Sequence, residues 1–496
     1  MTMKYASTRS TNREHAVSAA QAIKQGLAAD GGLFMPQEIP ALTMEEILSL
    51  KDKSYIDRAV HILKKFLTDY TEDELRRDCE AAYGESKFPG GAAPLVKVDD
   101  RIYSLELWHG PTCAFKDMAL QLMPRLLCRA LDKTGEKRDA MILVATSGDT
   151  GKAALEGYRD VERIKIKVFY PVDGVSRVQK LQMATQTGAN VDVCAIRGNF
   201  DDAQTGVKKI FADASIAKTL DEKGVFLSSA NSINWGRLAP QIVYYVSAYC
   251  DLLALSAINP GDEIDVCVPT GNFGNIFAAY IAKRMGLPIC RLICASNRNN
   301  ILTDFLATGT YDRNRKFYTT MSPSMDILIS SNLERLLYTT SGAEKTAACM
   351  RALAADGKYT VDAETKAKID ESFLGYFCDE ELTKATIRET FDTHHYLCDT
   401  HTAVGLAAAR QYIAAHGCTR KIVLASTASP YKFANDVYTA LTGKVAADEL
   451  AALDALSAYS HTEIPAPLAG IDKRPVRFTK TVDVCDMPAD VLSFAE

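Results

Sequence analysis

The stretch ILVATSGDTGKAALEGY, residues 142–158, decides the fold. Its apolar run ends at Ala145, the loop Ser147-Gly148-Asp149-Thr150-Gly151 comes next, and a helix-length segment begins. A strand that is apolar throughout, rather than alternating, is covered on both faces. A strand feeding a helix through a short loop is the repeating unit of a parallel sheet. The pattern recurs along the chain. RIYSLELW (101–108), DAMILVA (139–145), IKIKVFY (164–170), ANVDVCAI (189–196), EIDVCV (263–268), CRLICA (290–295) and RKIVLAS (420–426) each read as a strand. Helical text of roughly 10–20 residues separates most of them, as crossover connections require. The expected fold class is α/β, with two open, twisted, mostly parallel α/β domains.

At 496 residues the chain has room for about three domains. Apolar residues make up 47% and charged residues 24%, which predicts a packed globular chain and argues against disorder. Lys and Arg number 57 against 62 Asp and Glu, a net charge of −5. A weakly acidic chain is a poor match for nucleic acid, so no such partner is expected. The 13 cysteines are scattered without a C-x-x-C pair, Cys290 and Cys294 being the nearest neighbours. They read as reduced core thiols, implying a cytoplasmic location, and zinc ligation would need tighter clustering. The opening MTMKYASTRSTNREH has no apolar run, so no secretory leader is expected. The most apolar segment, 242–258, includes Asp251 and falls short of a bilayer span of about 20 residues. It reads as a buried helix, and no membrane partner is expected.

Residues 1–95 read as a mostly helical region. HAVSAAQAIKQGL stops near Gly26, and capping boxes open helices at Thr43, with Glu46, and again at Thr71. FPGGAAP, 88–94, reads as a linker. Residues 96–145 and 240–445 are assigned to a larger α/β domain, with a helical insertion at about 300–400 in which FLGYF is a possible strand. Residues 146–239 form a smaller one, and 446–496 a C-terminal helix and surface tail.

Two strand–loop–helix junctions carry glycine-bearing loops at the carboxyl ends of strands, where α/β ligands bind. One is the 147–151 loop. The other is IDVCVPTGNFGNIFAAYIAKRMG (264–286), whose Gly271-Asn272-Phe273-Gly274-Asn275 opens a helix. A helix N-terminus offers free amides and about half a positive charge, so each loop is an anion cradle or else a plain tight turn. Neither is G-x-G-x-x-G, and G-x-x-x-x-G-K-[ST] is absent, which disfavours a dinucleotide enzyme or an ATPase. In SLELWHGPTCAFKDMALQLMPRLL (104–127), Lys116 follows Phe115 at a helix start. The helix dipole and apolar neighbours lower a lysine's proton affinity there and suit it to Schiff-base and general-base work. The plain alternative is a snorkelling surface lysine. A Schiff-base lysine beside a phosphate cradle suggests pyridoxal phosphate. A second anion site suits a carboxylate or phosphate of an amino-acid substrate. In KIVLASTASPYKF (421–433), Thr427 lies where a hydroxyl could meet a pyridine nitrogen. It could equally cap a helix starting near Pro430.

Together HGPTCAFKD, ATSGDTG, PTGNFGN and STASPYKF resemble, in order, the threonine synthase family of pyridoxal-phosphate enzymes with the tryptophan-synthase-β-like fold. KYASTRS, GLAADGGLFMP and SSANSINWGRLAPQ (228–241) extend the resemblance from residue 4 to about 440. STRS replaces the usual STRG, and Ser429 stands where many members have His. The resemblance implies pyridoxal 5'-phosphate bound between the two α/β domains. Lys116 would be the Schiff-base lysine and the catalytic residue, with Gly271, Asn272, Phe273, Gly274 and Asn275 on the cofactor phosphate and Thr427 on the ring nitrogen. Ser147, Asp149 and Thr150 would line the substrate side, and Asn231, Ser232, Asn234 and Arg237 would meet substrate anions. Arg237 could instead pair on the surface, His109 could be a turn residue, and Cys113 reads as packing. The implied reaction takes O-phospho-L-homoserine and water to L-threonine and phosphate by γ-elimination and β-addition of water. The alternatives are a related lyase releasing 2-oxobutyrate and a non-catalytic ligand-binding member. The assembly expected is a monomer or homodimer.

Overall fold

All seven apolar runs are strands in the computed structural model, which describes residues 2–11, 16–146, 148–173 and 175–496. They divide between two sheets. One has six strands in the order Phe373–Phe377, Ile289–Ser296, Ile264–Pro269, Ile422–Ser426, Ile102–Glu106, Leu95–Lys97. Its pairings are parallel except at the Leu95–Lys97 edge. The other sheet is wholly parallel, in the order Thr481–Asp483, Val191–Arg197, Ile164–Pro171, Asp139–Ala145, Val225–Ser228. FLGYF is thus an edge strand.

Two assignments need correction. The strand Asp139–Ala145, placed by sequence at the end of the larger unit, lies inside the five-stranded sheet, paired on both sides. The strand belongs with the loop it feeds. The C-terminal segment is also more than a surface tail. Thr481–Asp483 pairs with Ala195–Arg197, and the helix Met487–Phe494 buries Met487 and Val491 against that sheet. Lys167, fully buried on the sheet, pairs with Asp192 and with Asp490 of that helix. FPGGAAP is likewise no free linker, because Phe88, Ala92 and Ala93 are buried.

The amino-terminal region is less helical than its sequence suggests: four helices, Ala19–Gln25, Met44–Leu50, Tyr55–Phe66 and Glu72–Tyr83, share it with an antiparallel pair of strands, Tyr5–Ser7 and Phe34–Pro36. Both capping boxes form, Thr43 with Glu46 and Thr71 with Glu74, satisfying amides that a helix start leaves open. Most of the apolar 242–258 segment lies in the helix Trp235–Ala254, which is buried along nearly all its length. Among the described residues no helix is long and apolar enough to cross a membrane. All thirteen cysteines are free.

One close approach ties a helix that follows a strand of each sheet to its counterpart. The helix Asp149–Tyr158 lies against the helix Lys116–Leu120, and a Cβ added at Gly157 would sit 1.9 Å from the Leu120 carbonyl oxygen. Helix propensity alone favours Gly→Ala by about 1 kcal/mol, whereas overpacking against an immovable backbone costs about 1–3 kcal/mol. Gly157→Ala is therefore expected to lower the unfolding free energy, by about 1–2 kcal/mol in a denaturant titration. A more stable variant would show that the two helices are free to part.

Candidate active site

The carboxyl ends of strands from both sheets open onto one cavity of about 630 Å³. Leu143 to Thr146 reach it from the five-stranded sheet, and Pro269, Thr270 and Thr427 from the six-stranded one. Of the residues expected to form a site, Lys116, Thr150, Asn231, Ser232, Arg237, Gly271 to Asn275 and Thr427 all line it. Asn234 does not. It caps the helix at Trp235, accepting from the Gly236 amide at 2.8 Å and donating to the Ile23 carbonyl at 2.9 Å, so both ends of its amide are occupied. Asp149 stands behind Lys116, and Ser147 lies outside the described residues.

Lys116 is the first residue of its helix, on a turn tied to the last strand of the six-stranded sheet. The Phe115 amide donates to the Thr427 carbonyl at 2.8 Å, and the Ser429 amide to the Cys113 carbonyl at 3.0 Å. The side chain is 11% exposed, its Nζ lying 3.8 Å from Asp149 Oδ2 and donating to Ser324 Oγ at 3.3 Å. Burial lowers the proton affinity of the amine; Asp149 opposes that, and the nearby Lys432 and Arg237 cations add to it. Asp149 is itself held far below the usual carboxylate range: burial works against the charge, but Lys432 and Lys116 outweigh it. The residue after Lys116, Asp117, is pushed by burial up to about 6 while accepting from the Thr112 amide and hydroxyl. Burial takes the Cys113 thiol up to about 12, an inert packing group.

The second loop meets the opposite wall. Phe273 takes the left-handed conformation, φ 64°, its ring buried against Phe373, and the helix Gly274–Met285 starts directly after it. The amides of Gly274, Asn275 and Ile276 lead that helix and have no carbonyl four residues back. Asn275 accepts from the Tyr245 hydroxyl, while its buried Nδ2 has no partner. Gly271 has no room for a side chain: a Cβ there would lie 2.7 Å from the Ser324 carbonyl oxygen. The insertion holds this loop from outside, Ser330 Oγ donating to the Gly271 carbonyl at 2.7 Å and Asn332 Nδ2 to the Asn272 carbonyl at 3.0 Å.

Arg237 is buried, not surface-paired. Its Nη1 donates to the Ala230 carbonyl at 2.8 Å and its Nε has no partner. Burial pushes it down to about 10. Lys116, Lys208 and Arg237 are the cations on the wall, and no carboxylate lines the cavity among the described residues. Such a cavity is built for anions.

Three further groups shape the site. Ser324 and His401 line the cavity. His401 Nδ1 lies 2.7 Å from Asp399 Oδ2, and the Ser324 amide donates to Nε2 at 3.1 Å, which assigns the proton to Nδ1. Asp399–His401 therefore anchors the loop whose hydroxyl meets Lys116. Lys432, the third, reaches Asp149 from below. Ser324 and Lys432 meet partners far away in sequence, Lys116 and Asp149, whereas His401 pairs with Asp399 two residues before it. Thr427 does not cap the turn that follows it: Ser429 caps Pro430–Phe433, accepting from the Tyr431 amide.

A lysine of lowered proton affinity, a helix start with an unused buried donor, and a glycine that leaves no space behind the loop together fit pyridoxal 5'-phosphate. The fold and site are those of a pyridoxal-phosphate-dependent α/β enzyme, and the family described as pyridoxal-phosphate dependent enzymes matches residues 89–427. The threonine synthase N-terminal and C-terminal families match residues 4–83 and 402–487. The threonine synthase of Pseudomonas aeruginosa is 39% identical, covering 96% of this chain and 95% of its own. A PLP-bound threonine synthase from Brucella melitensis superposes with a TM-score of 0.88 at 37% identity over the full length of both chains. Human threonine synthase-like 1 is 41% identical over 85% of this chain, which spans only 58% of that relative. The chain belongs to the threonine synthase family.

The role of the 271–275 loop can be tested directly. Gly274→Asp places a carboxylate at the leading amides of the helix, where charge opposes a bound phosphate. Cofactor retention on dialysis is expected to fall about tenfold or more, with thermal stability near that of the parent. Unchanged retention would remove the loop from the phosphate site.

Proposed function

We propose that this protein is a threonine synthase, a lyase that converts O-phospho-L-homoserine and water to L-threonine and phosphate. The observation that carries the reading is the charge of the cavity: three cations and a helix start, no lining carboxylate among the described residues, and an Arg237 guanidinium with an unpartnered Nε. Cofactor and substrate together would bring two phosphates and a carboxylate, and the wall offers donors for each. The free cysteines support a reducing, cytoplasmic setting.

When bound, pyridoxal phosphate supplies an electron sink for negative charge at the substrate α-carbon. The residues of the chain do the rest. Lys116 Nζ, its proton affinity lowered by burial, takes the α-proton and serves the later proton transfers. The leading amides at Gly274 to Ile276 and Asn275 Nδ2 bind the cofactor phosphate. Arg237, with Asn231 and Ser232, binds the substrate phosphate, while Thr150 lines the opposite side. Thr427, on the cavity wall, would offer its hydroxyl to the ring nitrogen. A hydroxyl donates to an unprotonated nitrogen, whereas an ionised carboxylate would hold it protonated and strengthen the sink.

Purified protein incubated with O-phospho-L-homoserine should release phosphate and threonine in equal amounts. Release of 2-oxobutyrate in place of threonine would make it the related lyase, and no turnover would make it a binding protein. Borohydride reduction should attach the cofactor covalently to the parent and not to Lys116→Ala; a labelled Lys116→Ala protein would move the assignment to another lysine. Thr427→Ala should lose one hydrogen bond, about 0.5–1.5 kcal/mol, so at most about a tenfold loss of cofactor affinity. Thr427→Asp should raise the ratio of 2-oxobutyrate to threonine at equal cofactor occupancy. If both variants keep the parent's occupancy and product ratio, the ring nitrogen has another partner.

A further inference from the structure

Asp149 is approached by two ammonium groups. Lys432 Nζ lies 2.6 Å from Oδ1, and Lys116 Nζ lies 3.8 Å from Oδ2. Gln179 Nε2 also donates to Oδ1, at 3.1 Å, so that oxygen is fully engaged and the other is turned toward Lys116. Lys432 is itself fixed. Its side chain is completely buried, and beyond Asp149 its Nζ donates to the Thr112 carbonyl at 3.0 Å and to Gln182 Oε1 at 3.4 Å, so all three donors are used. The pair also bridges the two sheets. Lys432 follows the strand Ile422–Ser426 of the six-stranded sheet, and Asp149 opens the helix after Asp139–Ala145 of the five-stranded one.

We propose that Lys432 is a positioning residue for Lys116: it holds Asp149 from the far side and divides that carboxylate between two cations, so Lys116 keeps a fixed counter-charge at 3.8 Å that it does not hold alone. The idea rests on Lys116 being the lysine that captures the cofactor. A buried lysine facing a carboxylate alone would hold its proton tightly and be a poor nucleophile and base. A second buried cation removes that penalty while keeping the carboxylate ionised, as its position at the first residue of a helix also does. The charged groups bearing on Lys116 are Asp149, Lys432, Arg237 and Asp117. Of the other titratable groups at this wall, Lys208 lines the cavity and His401 is held by Asp399 and the Ser324 amide.

The two halves of the pair make opposite predictions. Removing Lys432 leaves Asp149 to Lys116 and should raise its apparent pKa; removing the Asp149 charge leaves Lys116 among cations and should lower it. The measurement is the rate at which full-length, cofactor-stripped protein captures pyridoxal phosphate, followed by absorbance from about pH 6 to about pH 10, a span that brackets lysine pKa values lowered by burial. Lys432→Met should move the midpoint of this profile up by about one unit, which is about tenfold less free amine and about tenfold slower capture at neutral pH. Asp149→Asn should move it down, and Lys432→Arg should restore most of the parent profile. A Lys432→Met midpoint equal to the parent's, or a shift of both variants in the same direction, would reduce Lys432 to a structural link. If Lys432→Met fails to fold, Asp149→Asn and Lys432→Arg decide: an unshifted Asp149→Asn midpoint overturns the proposal. Capture by Lys116→Ala at the parent's rate would instead overturn the assignment of Lys116, whatever the Lys432 variants do.

Discussion

Two short helices are held together at both ends, and the site depends on that. Near their carboxyl ends Gly157 admits the Leu120 carbonyl to where a side chain would be. At their amino ends Lys116 and Asp149, each the first residue of its helix, face one another at 3.8 Å. One helix follows a strand of each sheet, so the contact also fixes how the two strand ends meet. A helix start exposes amides and carries partial positive charge, which stabilises Asp149 as an anion and disfavours Lys116 as a cation. The same backbone geometry thus sets the electrostatics of both groups before any ligand arrives.

Legibility in the sequence is local. Strands covered on both faces are largely apolar, so ILVA and its counterparts announce the parallel sheets even where a paired charge such as Lys167 interrupts the run. The cradle at Gly271 to Asn275 and the turn before Lys116 are legible for the same reason, since a strand, a loop and a helix start are contiguous. Thr481–Asp483 is not legible, because three residues carry no period and become a strand only where Ala195 to Arg197 leaves an edge open. Asn234 misleads because its motif neighbours do reach the cavity; one residue before Trp235, the helix start claims its side chain instead.

The side chains that tune the site form a second group, invisible to local reading. Lys432 lies within the STASPYKF motif, yet its partner Asp149 is hundreds of residues away in the chain. Ser324 and His401 come from an insertion and a helix with no glycine loop to mark them. They act by filling hydrogen-bonding capacity around residues that are legible. Buried polar groups must be satisfied, so a loop pressed against Gly271 with no space between needs its polar groups held: His401, oriented by Asp399, accepts the Ser324 amide, and the Ser324 hydroxyl accepts from Lys116.

Charge shows the same division between whole chain and site. With a net charge of −5, the protein as a whole repels an anionic substrate weakly. At physiological ionic strength that repulsion is screened beyond about 8 Å. Inside the cavity screening is poor, and the balance reverses, because Arg237, Lys208 and a helix start have no lining carboxylate among the described residues to offset them, and Lys116 is offset only by Asp149 behind it. Arg237 is the costly element: a buried guanidinium with an unpartnered Nε is unfavourable in the free protein. An anion that completes its hydrogen bonds recovers that cost on binding, so the destabilisation carried by the unliganded protein becomes selectivity for ligands bearing the right charge.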